Sequence, residues 1–139
     1  MAQDREIRRD ELYEELSIGL TVKGIPDLLS IGDDRDVLRI LLLDASGEKL
    51  ELIISNVISY RKTEERFMLL CNNYMNNFGV LDKFSVIINN SSMIRWITAE
   101  SMETIADLKL FHVRLSFKQD ILDVIFAGSV DISTRAWAG

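Results

Sequence analysis

Short blocks of apolar residues, separated by polar turns, dominate the chain and predict a protein built mainly from β-strands. The central block is Val37–Leu43, a nearly unbroken run of leucine and β-branched residues, which is typical of a buried strand. After a turn at residues 44–47, Lys49–Ile54 is expected to return beside it as a hairpin partner. Residues 23–36 are expected to form a loop. Further strands are predicted at residues 16–22, 56–60, 84–88, 105–117 and 121–127.

Helices are expected in three places. Residues 4–16 alternate charged and apolar positions, which predicts a short amphipathic helix. Thr63 is a candidate cap for a second helix, whose buried stripe would contain Phe67, Leu70, Cys71, Tyr74 and Phe78. Ser91 or Ser92 is expected to cap a third. The prediction is an α+β fold: a mainly antiparallel sheet of about six strands, two helices packed on one face and a short N-terminal helix.

Length and composition favour a single domain over residues 1–139. The chain is 47% hydrophobic and 27% charged, with a single proline, and these are values of a globular protein. Cys71 is the only cysteine, so no internal disulfide can form, and a reducing compartment is indicated. The sequence shows neither a long apolar segment nor a signal-peptide core, which predicts a cytoplasmic protein without membrane contact.

The formal net charge of −6 argues against a nucleic-acid binder, because such proteins need a clustered basic face to neutralise phosphates. The excess of carboxylates favours either simple solubility or a surface complementary to a basic protein. One histidine and one cysteine cannot build a zinc site, and no phosphate-binding glycine motif is present. No cofactor or metal is therefore expected.

His112 is the natural candidate for acid–base chemistry, with Glu100 or Asp123 as the carboxylate partner. Asp123 interrupts an apolar strand, and Arg114 on the preceding strand is an available partner for it. A serine–histidine–acid triad would also require a placed nucleophile. Ser91 is better explained as a helix cap, and the sequence around it lacks the glycines of a nucleophile elbow.

Candidate positions for partner binding are Asp33, Asp34 and Asp36 in the expected acidic loop and Trp137 near the C-terminus. Exposed tryptophan is enriched at protein interfaces. The alternative for Trp137 is that the tail folds back and covers a sheet edge.

The second half of the chain resembles a pattern found in small bacterial proteins, some of which are similar to immunity proteins of toxin systems. The resemblance covers about half of the sequence and is carried by Ile88-Asn89-Asn90-Ser91, Trp96, Glu100-Ser101, His112 and Leu122-Asp123-Val124-Ile125. Two positions depart from the pattern, because Val113 replaces a tyrosine and Val130 replaces a proline. The resemblance implies an accessory bacterial protein and assigns no catalytic residue.

Together these features predict a protein-binding, non-enzymatic immunity protein, either monomeric or homodimeric. It would neutralise a basic toxin effector by stoichiometric occlusion of the toxin's active site. Two other classes stay open: a small enzyme that uses His112 with a carboxylate, and a homo-oligomeric structural or assembly protein.

Overall fold

In the residues that the structure describes, nine strands form two antiparallel sheets. The computed structural model describes residues 10–17, 22–68, 72, 75–102, 104–105, 107–128 and 132–137. The strands are β1 Leu12–Glu15, β2 Asp27–Asp34, β3 Val37–Leu43, β4 Lys49–Ile54, β5 Val57–Glu64, β6 Ser85–Asn89, β7 Leu110–Ser116, β8 Asp120–Ala127 and β9 Ile132–Ala136. A 3-10 turn covers Glu65–Phe67, and helix α1 covers Ser92–Glu100.

The two sheets have different strand orders. The five-stranded sheet is ordered β1-β6-β7-β8-β5, and the four-stranded sheet is ordered β2-β3-β4-β9. Hairpins join β2 to β3, β3 to β4 and β7 to β8. Strand β5 follows β4 in the chain but belongs to the five-stranded sheet, where it pairs with β8.

The main core lies between the sheets and follows the two-residue period of their strands. Leu38, Ile40 and Leu42 of β3 alternate with more exposed positions and belong to the same buried cluster as residues of β7 and β8. The other strand residues of this cluster are Leu50, Leu52, Ile54, Val113, Leu115, Leu122, Val124 and Phe126.

The outer face of the five-stranded sheet is covered as well. Tyr13, Val86, Ile88 and Ile121 form a second buried cluster there with Met68, Met75 and Val80, which belong to the segment between β5 and β6. Consequently, β8 is buried on both faces, and only its end residues are partly exposed. A charged residue in such a strand must be matched by partners inside the protein.

The predicted fold class was wrong in its count of strands and helices. β1 lies within the predicted N-terminal helix 4–16, of which residues 4–9 are outside the described residues. β2 occupies most of the expected loop 23–36, and β9 follows the last predicted strand. All three are edge strands, whose exposed polar residues hide the alternation on which the prediction depended.

The expected helix starting at Thr63 was also wrong at its beginning. Thr63 lies within β5, which ends at Glu64, instead of capping a helix, and Phe67 is 67% exposed instead of buried. Leu70, Cys71 and Tyr74 of the predicted stripe lie outside the described residues. Within the part of the chain that the structure describes, α1 is the one complete α-helix, so the arrangement of two helices on one face of six strands is replaced by two packed sheets.

Candidate functional site

A buried carboxylate in the middle of β8 organises the polar residues of the five-stranded sheet. Asp123 is fully buried and lies directly opposite Arg114 in the β7–β8 register. Its Oδ1 accepts a hydrogen bond of 2.8 Å from Arg114 Nε and lies 2.7 Å from His112 Nε2. Alternation along β7 places His112 and Arg114 on the same face, so both side chains reach the one carboxylate.

Burial raises the pKa of Asp123, but the charge of Arg114 and the hydrogen bond from His112 outweigh it and hold the pKa well below its ordinary value. Asp123 is therefore ionised and accepts hydrogen bonds only, so the His112 Nε2–H is the donor. The second carboxylate oxygen, Oδ2, makes no hydrogen bond but lies 3.5 Å from Nη2 of Arg61, a half-exposed cation on β5.

Ser91 extends this group into a linear serine–histidine–aspartate array. Its Oγ lies 2.6 Å from His112 Nδ1, and it accepts a 3.1 Å hydrogen bond from the Ile94 N–H. The predicted cap role is thus confirmed. The contact with His112 was missed by the sequence reasoning. The feature that could have indicated this contact is the short connection from β6 to α1. Ile88 pairs with His112, and Asn90 turns the chain with a positive φ just before Ser91.

Glu11, just before β1, contacts the start of α1 beside the array. Its carboxylate accepts hydrogen bonds from the Tyr13 hydroxyl at 2.7 Å, from the Ser92 N–H at 2.8 Å and from the Ser92 hydroxyl at 2.9 Å. A carboxylate at a helix N-terminus is stabilised by the free N–H groups there. Glu11 therefore fastens the segment before β1 to the start of α1, beside Ser91.

The array is buried within the protein. Ser91, His112 and Asp123 are at most 4% exposed, and none of them lines either of the two clefts described below. Glu100 lies at the opposite end of α1, about 13–14 Å along the helix axis from Ser91, which removes it as a partner for His112.

The structure brings three of the four predicted binding residues together. Asp33 and Asp34 end β2, and Asp36 lies in the two-residue turn to β3, where Arg35 has a φ of 60°. All three carboxylates are exposed. In the described part of the chain none of them forms an ion pair or a side-chain hydrogen bond.

Trp137 lies elsewhere. Its N–H donates to the Lys49 carbonyl at 3.1 Å, and its ring is 5.2 Å from Lys49 Nζ, so it continues the pairing of β9 with β4. This position is at the end of the four-stranded sheet opposite the β2–β3 turn, about 20 Å away along β3. The ring is 40% exposed. Trp137 thus packs partly along the sheet and does not join the three aspartates.

An open cleft of about 400 Å³ adjoins the β2–β3 turn and shares Asp36 with it. Its walls include two exposed apolar side chains, Ile58 and Leu108. Asp107 adds another carboxylate, which forms no ion pair with any residue that the structure describes. We call the surface formed by Asp33, Asp34, Asp36 and Asp107 the acidic end. The remaining residues that line the cleft are Asn56, Val57, Lys109, Ala127 and Gly128.

A second cleft, of about 340 Å³, is lined by three carboxylates, Glu64, Glu65 and Asp120, and by two cations, Arg66 and Lys118. Glu64 pairs with Arg66 at 2.6 Å, Asp120 pairs with Lys62 at 3.9 Å, and Glu65 accepts a hydrogen bond of 3.0 Å from Asn72. The lining contains no apolar residue comparable to Ile58. Carboxylates that already have partners within the protein attract a ligand less strongly than unpaired ones.

Comparison with known proteins adds no family. No protein-family model, no curated protein and no solved structure matches this chain. The resemblance to immunity proteins therefore stays a prediction. Among the described residues, none of the helices has the length and apolar character needed to cross a bilayer, and no group of three metal-ligating side chains converges.

Replacing Asp123 with asparagine should destabilise the fold by about 3–5 kcal/mol, because the buried Arg114 guanidinium loses the charge that compensates it. The matched control is Asp27→Asn, which removes the ion pair between the exposed side chains of Asp27 and Lys118. This substitution should lower the free energy of unfolding by about 1 kcal/mol or less. Urea unfolding of both variants measures the difference. Equal losses would contradict a central role for Asp123.

The contribution of Asp123 should also depend on pH. Its folded-state pKa is depressed, so the contribution is fully present above the unfolded pKa, near 4, and is lost as the pH falls toward the folded pKa. The stability gap between the wild type and Asp123→Asn should therefore narrow by about 1.4 kcal/mol per pH unit below pH 4. Urea unfolding from pH 5 to pH 3 tests this. A gap that did not change would show that Asp123 titrates normally.

Proposed function

We propose that this chain is an immunity-type inhibitor that binds a basic toxin through the acidic end and neutralises it by stoichiometric occlusion. The observation that carries the proposal is an open, partly apolar cleft lined by Asp36 and Asp107, with Asp33 and Asp34 nearby at the end of β2. None of the four carboxylates forms an ion pair within the described residues. Such a surface combines long-range attraction for a basic protein with a concave contact area.

Among the described residues, several carboxylates elsewhere pair with cations, whereas the carboxylates of the acidic end, like Glu48, Asp82 and Glu100, do not. Glu51 contacts both Arg39 and Arg135, Asp10 contacts Arg95, and Glu15 contacts Lys83. Asp33, Asp34 and Asp36 lie within four residues of one another, beside the exposed cation Arg35, and none of the three forms an ion pair within the described residues. Carboxylates left unpaired at a surface are available to a partner that supplies the opposite charge.

Inhibition by occlusion needs no chemistry from the inhibitor. The net charge of −6 would speed the encounter with a basic toxin, and this acceleration would weaken as salt screens the charges. Contacts with the apolar walls of the cleft would then slow dissociation. The burial of the Ser91–His112–Asp123 array supports this binding role over an enzymatic one. We place the protein in the cytoplasm, where it would protect the cell that makes the toxin.

The test is capture of partners from a lysate of the source cells by the wild type and by two variants with equal losses of charge. The acidic-end variant carries Asp33→Asn, Asp34→Asn and Asp36→Asn. The charge-matched control removes three exposed carboxylates that also lack ion pairs, through Glu48→Gln, Asp82→Asn and Glu100→Gln.

The wild type and the control should retain one basic protein in a 1:1 complex, and the acidic-end variant should retain at least tenfold less of it at low salt. Raising the salt should reduce capture by the wild type toward the level of the variant. Equal capture by the two variants would contradict the proposed surface. Inhibition of the captured protein's toxic activity by the wild type then tests the occlusion itself.

A further inference from the structure

We propose that the cleft at the acidic end binds an arginine side chain presented by the basic partner. This inference rests on the proposed function and specifies the chemistry of its central contact. The carboxylates of Asp36 and Asp107 line the same cleft, and neither forms an ion pair within the described residues. A cation that entered the cleft would therefore be attracted by two carboxylates, and no ion pair of Asp36 or Asp107 with the described residues would have to break first.

The walls of the cleft fit the stem of a long basic side chain. Val57, Ile58, Leu108 and Ala127 supply aliphatic surface, and Ile58 and Leu108 are 38% and 47% exposed. Arginine buries its methylene groups along apolar surface while its charged head reaches polar partners. The cleft, at about 400 Å³, falls within the size range of small-ligand sites.

A guanidinium suits this cleft better than an ammonium. The guanidinium is planar, is more weakly hydrated, and can donate several hydrogen bonds at once to carboxylate and amide oxygens. The cleft offers both kinds of oxygen, on Asp36, Asp107 and Asn56. Its one lining cation is Lys109, whose Nζ lies 5.4 Å from the Phe111 ring and is thereby drawn toward the aromatic face.

Backbone hydrogen bonds hold the cleft in shape before any ligand arrives. The Val57 N–H donates to the Asp36 carbonyl at 2.8 Å, and the Ala127 N–H donates to the Asn56 carbonyl at 3.0 Å. The Gly128 N–H donates to the Lys109 carbonyl at 3.0 Å. These bonds connect turns from both sheets, so little ordering is needed on binding, and preorganisation of this kind favours affinity.

The experiment titrates the full-length, isotope-labelled protein with N-acetyl-arginine amide and follows its backbone amides by NMR. N-acetyl-lysine amide tests the preference for a guanidinium. N-acetyl-citrulline amide, which has the same shape as the arginine probe but no charge, tests the need for a cation. The proposal predicts saturable shifts at Ile58 and Leu108 with the arginine probe, at least threefold weaker binding of lysine and no saturation with citrulline.

Two variants locate the site. Asp36→Asn with Asp107→Asn should weaken binding of the arginine probe at least fivefold, whereas Glu64→Gln with Asp120→Asn, in the second cleft, should leave it unchanged. All four side chains are at least partly exposed, so the variants are expected to fold, and the dispersion of their amide signals verifies this. Equal binding of arginine and citrulline, shifts centred on the second cleft, or no saturation with arginine would overturn the proposal.

This result is separable from the test of the proposed function, because the titration uses no partner protein. Arginine binding without any captured toxin would leave the cleft as a site and remove the inhibitor role. A captured toxin that binds the Asp36→Asn, Asp107→Asn variant as tightly as the wild type would instead remove the arginine contact.

Discussion

The ionised carboxylate of Asp123, buried in a strand that has no solvent on either face, is the constraint on which the rest of the structure depends. Its partners come from a neighbouring strand: Arg114 bonds it directly, and His112 connects it to Ser91 at the start of α1. Glu11 then joins α1 to the N-terminal strand. A slip of one residue between β7 and β8 would turn Asp123 away from Arg114, so this interaction also fixes the register.

This use of charge inside the protein contrasts with the use of charge at its surface. The buried groups are matched closely: a capping serine, a histidine and an aspartate on adjacent elements form a linear array. The carboxylates of the acidic end are exposed and unmatched. Buried charges are stable only when they have partners within the protein, whereas surface charges that recognise another protein are paired only in the complex. This distinction is the reason why we propose the acidic end as the functional surface.

The sequence predicted those parts of the fold whose hydrophobic pattern is strong. The bounds of Val37–Leu43 and Lys49–Ile54 are confirmed, as are the cap at Ser91 and the pairing of Arg114 with Asp123. The edge strands were not predicted because they carry polar residues at exposed positions, and β1 and β9 are also short. Which predicted site residues meet depends on strand order, a long-range property. For that reason the separation of Trp137 from the three aspartates could not be foreseen.

The most direct test of this account is the unfolding free energy of the Asp33→Asn, Asp34→Asn, Asp36→Asn variant, measured in urea at low salt. If these carboxylates serve a partner and not the fold, relief of their repulsion should leave the stability unchanged or raise it by up to about 1 kcal/mol. A loss of more than about 1 kcal/mol would contradict the account, since it would show that the acidic end stabilises the protein itself.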